Sequence, residues 1–265
     1  MPEKIPCISL LTDFGLQDNF VGVMKAVILK INPRVRIIDL CHQVRPQDIL
    51  EAAFLLKGSF RFFPRGTVHL VVVDPGVGSK RKSILVKTKD FYFIAPDNGV
   101  LSLALADEPI QKIIEITNEK YFLKPLSPTF HGRDIFAPVA GYLSLGKSMD
   151  AFGKRLNAIR KLDLAMPRRM KDKLIGEVIY IDRFGNLITN IHKDQFRDFV
   201  ANSHFKICIA GKELRKLSRS YQEVGVNKPL AIFSSFGNLE ISVREANARK
   251  FLSVDKGMPI QIVKT

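Results

Sequence analysis

"CISLLTDFGLQDNFVGVMKAVILKI", residues 7–31, decides the fold. Its first six residues are a short apolar run bounded by a polar loop, the pattern of a buried strand, and from Asn19 onward Phe20, Met24, Val27 and Ile31 recur at helical spacing. A strand that passes through a glycine-containing loop into a helix is the start of an α/β sheet. The loop carries two carboxylates, Asp13 and Asp18. They read as caps of the helix that starts near Asn19 or as ligand contacts beyond the carboxyl end of a strand. The ligand reading is preferred for Asp13, and the two readings are level for Asp18. Asp13-Phe14-Gly15 is also the tripeptide with which protein kinases hold magnesium. No His-Arg-Asp occurs in the chain, and twelve residues before Asp13 leave no room for the glycine-rich loop and strand lysine that precede the tripeptide in a kinase.

Further along, strand and helix patterns alternate. "RVRIIDL" (34–40) reads as a strand, and "DILEAAFLLKGSFRFF" (48–63) as a helix capped by Asp48. "TVHLVVVD" (67–74) is a continuous apolar run, expected of a strand covered on both faces. "SILVKTKDFYFIAP" (83–96) reads as a hairpin turning near Lys89 and Asp90, and "DIFAPVAGYLSLG" (134–146) as a helix with Pro138 in its first turns. The pattern changes after "AMPRRMKDK" (165–173), read as a linker. "LIGEVIYIDRFGNLITNI", "HFKICIAGKEL", "PLAIFSSFGNLEISV" and "MPIQIV" are short alternating runs broken by glycine or asparagine, as in a small antiparallel barrel or sandwich. The expected architecture is an α/β domain with a mainly parallel sheet over 1–167, then a small all-β, barrel-like domain over 168–265.

Composition narrows the function. At 265 residues and 46% hydrophobic, the chain can bury real cores. Its apolar runs are far shorter than the roughly 20 residues needed to cross a bilayer, and "MPEKIPC" lacks a signal-peptide core. The expectation is a cytoplasmic protein with no membrane partner. Cys7, Cys41 and Cys208 have no metal or disulfide spacing. Forty-one basic against 26 acidic residues leave a charge of +15. These residues are spread along the chain, with local clusters only at 80–82 and 168–173, so a solvated basic surface is preferred over a nucleic-acid function.

Asp13 and Asp74 both follow strands and suit the hydroxyls of a ribose. "DPGVGSKRK" (74–82) is an ordinary turn or a loop whose glycines let backbone approach a ligand. "SPTFHGRDIFAP" (127–138) sets His131 in a glycine-flanked loop at a helix start, a good place for chemistry, with Arg133 and Asp134 read as a structural pair and cap. His42, His69, His192 and His204 lack ligand spacing and receive no role. The turns "DRFGNLITN" (182–190) and "SSFGNLEIS" (234–242) are hairpin connectors. Alternatively Asn186 reads a purine edge while Phe184 or Tyr221 stacks on the base.

Six segments in order, "TDFGLQDNFVG", "VVDPGVGSKR", "APDNGVL", "FHGRDIFAP", "IDRFGNLITNI" and "SSFGNLEISV", resemble the S-adenosylmethionine hydroxide adenosyltransferases, also called adenosine-forming S-adenosylmethionine hydrolases, which are relatives of the fluorinase and chlorinase. The resemblance runs from about residue 8 to 245. It implies that activated water attacks the ribose C5′ of S-adenosylmethionine and expels methionine, giving adenosine. The leaving group is a neutral thioether, so neither metal nor cofactor is expected, and S-adenosylmethionine is the substrate. By the same resemblance Asp74, Arg81 and His131 act on the water and Asp13 holds the ribose hydroxyls. Asp18, Asp182 and Ser235 hold the methionine end, and Phe184, Asn186 and Tyr221 form the adenine pocket. It further implies a homotrimer with sites at subunit interfaces. Phe236 stands where the halogenase relatives carry an arginine. The alternatives are a halide-using adenosyltransferase, against which Asp74 argues by repelling an anion, and a basic RNA-binding protein without catalysis.

Overall fold

The computed structural model describes residues 6–201 and 203–265; the stretch before Pro6, which entered the localisation reading, lies outside it. The chain divides into two compact units at Leu162/Asp163, five residues before the boundary read from the sequence.

In the first unit, β1 (Cys7–Thr12), α1 (Phe20–Ile31), β2 (Arg36–Cys41), α2 (Ile49–Ser59) and β3 (Val68–Val72) follow the expected alternation. The hairpin β4 (Ser83–Lys87) and β5 (Tyr92–Pro96), then β6 (Lys112–Ile116), α3 (Ala137–Ser144) and β7 (Gly153–Arg155) complete it. The sheet order is β2-β1-β3-β5-β4-β6-β7. The first four strands are parallel, and β4, β6 and β7 join antiparallel. Alternation along β3 explains why its run is apolar throughout. Val68, Leu70 and Val72 pack with α1 and α3 on one face, while Val71 and Val73 pack with Leu56 of α2 on the other. Each such fully buried side chain contributes roughly 1.5–3 kcal/mol.

α1 is rotated from the expected face. Val21, Met24 and Ile28 are its buried residues, whereas Phe20 is 40% exposed. Phe20 turns instead toward Phe14 and Phe130, whose ring centroids lie 5.6 and 5.2 Å away. The Asp48 side chain caps α2, accepting from the Glu51 N–H at 3.0 Å. The helix at 134–146 begins with a π turn over Gly132–Phe136 and becomes α-helical only at Ala137; π turns recur at functional sites.

The second unit holds β8 (Arg168–Arg169), β9 (Lys173–Ile181), β10 (Leu187–His192), α4 (Lys193–Val200), β11 (Phe205–Ile209), β12 (Lys212–Leu214), β13 (Pro229–Phe233), β14 (Asn238–Val243), α5 (Ala248–Leu252) and β15 (Pro259–Lys264). Its pairings are antiparallel, in the order β12-β11-β15-β9-β10-β14-β13 with β8 beside β9. End strands β12 and β13 come into contact, which rolls the sheet toward a barrel. One correction arises here. The segment read as a linker contributes a strand, because Arg168 and Arg169 pair with Ile175 and Leu174. The barrel-like sheet is as expected, and α4, not read from the sequence, adds Phe196, Phe199 and Val200 to its core. Among the described residues no helix is long and apolar enough to cross a membrane.

Candidate active site

β3 runs out through Val73 into Asp74, and the strand end is held by Asn98, whose amide donates to the Val73 carbonyl at 2.8 Å. The following loop turns back so that Arg81 faces Asp74. The Arg81 guanidinium donates to both Asp74 oxygens at 3.0 and 2.5 Å, to Ser83 Oγ at 2.8 Å, and meets His131 Nδ1 at 2.7 Å. The side chains of Arg81 and Asp74 are only 8% and 5% exposed, and the guanidinium also lies 5.3 Å over the Phe136 ring. A bidentate, charge-assisted pair of this kind holds its geometry tightly.

His131 arrives from the other side through a separately braced loop. Asp134, buried in the π turn, accepts the Ser127 N–H at 2.8 Å and pairs with Arg133 at 2.6 Å, the structural pair read from the sequence. Gly78, at φ +76°, lets the 74–82 loop lie against the Pro128 carbonyl where any β-carbon would collide. The 74–82 loop, which reads as an ordinary turn in the sequence, is thus pressed against the 127–138 loop, which brings Asp74, Arg81 and His131 into one cluster. Burial first, and then the Arg81 charge, push the His131 imidazole below its ordinary pKa. It is therefore neutral near pH 7, with Nδ1 accepting from Arg81 and the proton on Nε2.

Asp13 lies beyond the end of β1. Its Oδ2 accepts the N–H of Gln47 at 2.8 Å, and Gln47 holds the left-handed conformation (φ 68°) that a non-glycine residue adopts at some strain. Phe14 meets Phe130 at 5.8 Å, which ties the Asp13 loop to the residue before His131. Asp18 is exposed, and the α1 cap position, Asn19, makes no side-chain hydrogen bond.

In the second unit, Asp182 closes its own turn. Its carboxylate accepts from the N–H groups of Phe184 and Asn186, both at 2.9 Å, and from the Asn186 amide at 2.8 Å. Gly185, at φ +88°, packs against the side chain of Asn247, which caps α5. Phe184 is left 76% exposed at the tip. Tyr221 donates to Glu240 Oε1 at 2.8 Å, and Ser242 donates to the same oxygen at 2.6 Å. Burial, the Glu240 bond and the charges of Glu240 and Asp182 push the Tyr221 hydroxyl up to about 12. Ser235 is exposed in the turn between β13 and β14, next to the exposed Phe236.

Ser83, Phe136, Asn98 and Glu240 support these groups and were not singled out in the sequence. Asn98, Phe136 and Glu240 lay within segments already of interest, "APDNGVL", "SPTFHGRDIFAP" and "SSFGNLEISV". The remaining histidines are structural where the bonds are defined. His42 meets Thr12 and Asp39, His69 meets Ser9, and His192 caps α4. The basic clusters are also partly consumed by pairing, Arg81 with Asp74, Lys82 with Glu115 and Arg169 with Asp198. Among the described residues no group of three or more His, Cys, Asp and Glu side chains could hold a metal ion.

Fold and constellation define a protein with an α/β unit that gathers a carboxylate, a guanidinium and a neutral imidazole beyond its strand ends, and an all-β unit with exposed aromatic turns. Comparison supplies the family. The SAM hydroxide adenosyltransferase N-terminal domain matches residues 8–153 and the C-terminal domain residues 176–261, so the chain belongs to that family. A (R)-S-adenosyl-L-methionine hydrolase of Methanocaldococcus jannaschii is 38% identical over 98% of this chain and 97% of its own length. A fluorinase of Nocardia brasiliensis is 25% identical over 97% and 96%. The crystal structure of an uncharacterized conserved protein from Thermotoga maritima superposes with a TM-score of 0.90 at 42% identity, covering 97% of this chain and 99% of that one.

Proposed function

We propose that this chain hydrolyses S-adenosyl-L-methionine to adenosine and L-methionine. The observation that carries the reading is the buried Arg81 joined to both Asp74 and His131. A water oxygen attacks C5′, the C5′–S bond breaks, and its electron pair leaves on sulfur as a neutral thioether. The water proton passes to the Asp74 carboxylate, whose oxygens each keep a free lone pair beside the Arg81 bond. The task is therefore to hold and orient one nucleophile rather than to stabilise a leaving group. The neutral imidazole, with Nδ1 engaged by Arg81, donates from Nε2 to orient the water, and the guanidinium favours the hydroxide that develops. No cofactor is required by this chemistry.

Asp13 accepts the ribose hydroxyls while the Gln47 N–H fixes its rotamer. Asp18, Asp182 and Ser235 face the methionine end. Phe184 and Tyr221 offer ring faces to adenine, and the Asn186 carbonyl oxygen, whose amide nitrogen is engaged by Asp182, is the acceptor for an exocyclic amine. The chain acts as a cytoplasmic homotrimer with sites completed between subunits. Mixing an Asp74→Ala with an Asn186→Ala variant then restores part of the activity through hybrid sites, and a fully active monomer refutes the arrangement.

The halide-using alternative is disfavoured by Asp74, because a carboxylate beside the nucleophile repels an anion and attracts water. The deciding experiment incubates the protein with S-adenosylmethionine in labelled water and chloride. Adenosine labelled at the 5′ oxygen supports the reading; 5′-chloro-5′-deoxyadenosine, methylthioadenosine or no turnover overturns it.

A further inference from the structure

β13 ends the sheet of the second unit, and its outer edge is covered only in part, by the bridge of Leu217 to Ala231 and the Ser218 N–H bonded to the Ala231 carbonyl at 2.8 Å. Beside it, between this segment and α4, opens a cavity of about 500 Å³, within the range of small-molecule sites. Its apolar wall includes Leu217, Ile232 and Phe233, and its charged wall is Arg197 and Arg219. The Arg197 guanidinium stands 6.0 Å over the Phe233 ring. No carboxylate lines the cavity.

Among the described residues neither Arg197 nor Arg219 pairs with a carboxylate, so both guanidinium groups are open to an anion.

We propose that this cavity is a second ligand site, distinct from the candidate active site, for a small organic anion. The anionic head, a carboxylate, sulfonate or phosphate, meets the two guanidinium groups. The apolar body lies on Phe233 and Ile232. A bare inorganic anion leaves the apolar wall uncovered, and an uncharged aromatic leaves the guanidinium groups without a counter-charge, so only the combination fits.

The test uses 1-anilinonaphthalene-8-sulfonate as the anion and N-phenyl-1-naphthylamine as its uncharged counterpart, each titrated into the full chain by calorimetry and fluorescence. The sulfonate is expected to bind once per chain, and about tenfold or more tightly than the amine, the size of one charge-assisted contact. In the Arg197→Gln/Arg219→Gln variant the sulfonate loses about tenfold or more in affinity. Amine binding, circular dichroism and the rate on saturating S-adenosylmethionine stay unchanged, since both arginines are exposed and neither belongs to the proposed machinery. Equal affinity for the two probes in the wild-type chain, which requires no variant to fold, overturns the proposal. So does undiminished sulfonate binding in the double variant.

Discussion

The cluster of Asp74, Arg81 and His131 and the turn from Asp182 to Asn186 both consist of polar side chains bonded to one another, yet they are assembled at different scales. In the cluster, Arg81 reaches a partner seven residues away and another fifty residues away, so it exists only when the first unit is folded. In the turn the partners are two and four residues apart, and the loop holds its own shape. The cluster hides its charges, and the turn hides its polar groups in order to expose a ring. One arrangement suits chemistry on a small nucleophile, and the other suits docking a flat body. Substitutions should therefore separate rate from affinity.

The largest effect is expected at Arg81. Arg81→Ala removes the link between Asp74 and His131 and should lower the single-turnover rate by roughly 10²–10⁴, with S-adenosylmethionine affinity little changed. It also leaves Asp74 buried without its partner, at a cost of about 3–5 kcal/mol in stability, so the rate is compared well below the unfolding midpoint. Because the three residues serve one water molecule, Arg81→Ala and His131→Ala together should cost less than the product of their separate losses. Multiplicative losses, or a fall in affinity at constant rate, would break the contrast between the two regions.

Asp182→Ala is the mirror experiment. It strips one acceptor from three donors of the turn, and with about 1–3 kcal/mol at stake for each donor left unpaired, affinity should fall about ten- to a hundredfold. The single-turnover rate at saturation should hold within about threefold. A rate loss as deep as that of Arg81→Ala would place Asp182 in the chemistry instead.

The difference in scale also explains what the sequence could reveal. β1, β3, the β4–β5 hairpin and the Asp48 cap were legible because each rests on local pattern. The rotation of α1 was not, since 20/24/27/31 and 21/24/28 are both helical spacings, and the pull of Phe14 and Phe130 on Phe20 is tertiary. α4 escaped because its cap is His192, reinforced by Gln195, and its apolar stripe spans just two turns. The membership of Asp74, Arg81 and His131 in one site came from family resemblance, since nothing in the spacing of 74, 81 and 131 reports that Gly78 packs on Pro128. Glu240 lay hidden inside a strand, where a single acidic residue reads as an outward-facing position.

Acid separates the regions more gently. His131 is held below its ordinary pKa of 6.5 by burial and then by the Arg81 charge, so the rate should fall toward acid, at most about tenfold per unit, on a limb whose midpoint lies below 6.5, while affinity holds. Stability has a separate titrant in His69, fully buried among Phe60, Phe63, Phe91 and Phe93 with its pKa pushed down to about 3 by burial. Below pH 6.5 the unfolded chain takes up a proton that the fold refuses, so stability drops as pH falls, by up to about 1.4 kcal/mol per unit, until the folded group titrates. Urea unfolding at pH 7, 6 and 5 checks the slope, which His69→Phe should reduce. An unchanged slope would mean that another group sets the acid sensitivity.

The smallest effect is expected at Tyr221, and it tests which part of that residue matters. Its hydroxyl proton is committed to Glu240 at 2.8 Å, and with the pKa pushed up to about 12 the group stays a donor at every working pH. It has no second proton to donate to a ligand, so the hydroxyl could only accept from adenine, and the contact assigned to Tyr221 is its ring face. Tyr221→Phe should therefore leave affinity within about threefold. It should cost about 1 kcal/mol of stability, because Glu240 keeps only the Ser242 hydroxyl as donor. Tyr221→Ala removes the face as well and should weaken binding by about 1–3 kcal/mol, the worth of stacking one base. Calorimetric titration of the two variants with S-adenosylmethionine makes the comparison. If Phe weakens binding as much as Ala, the hydroxyl touches the ligand, accepting from it while it donates to Glu240; if neither variant weakens binding, Tyr221 lies outside the adenine pocket and Phe184 alone supplies the ring.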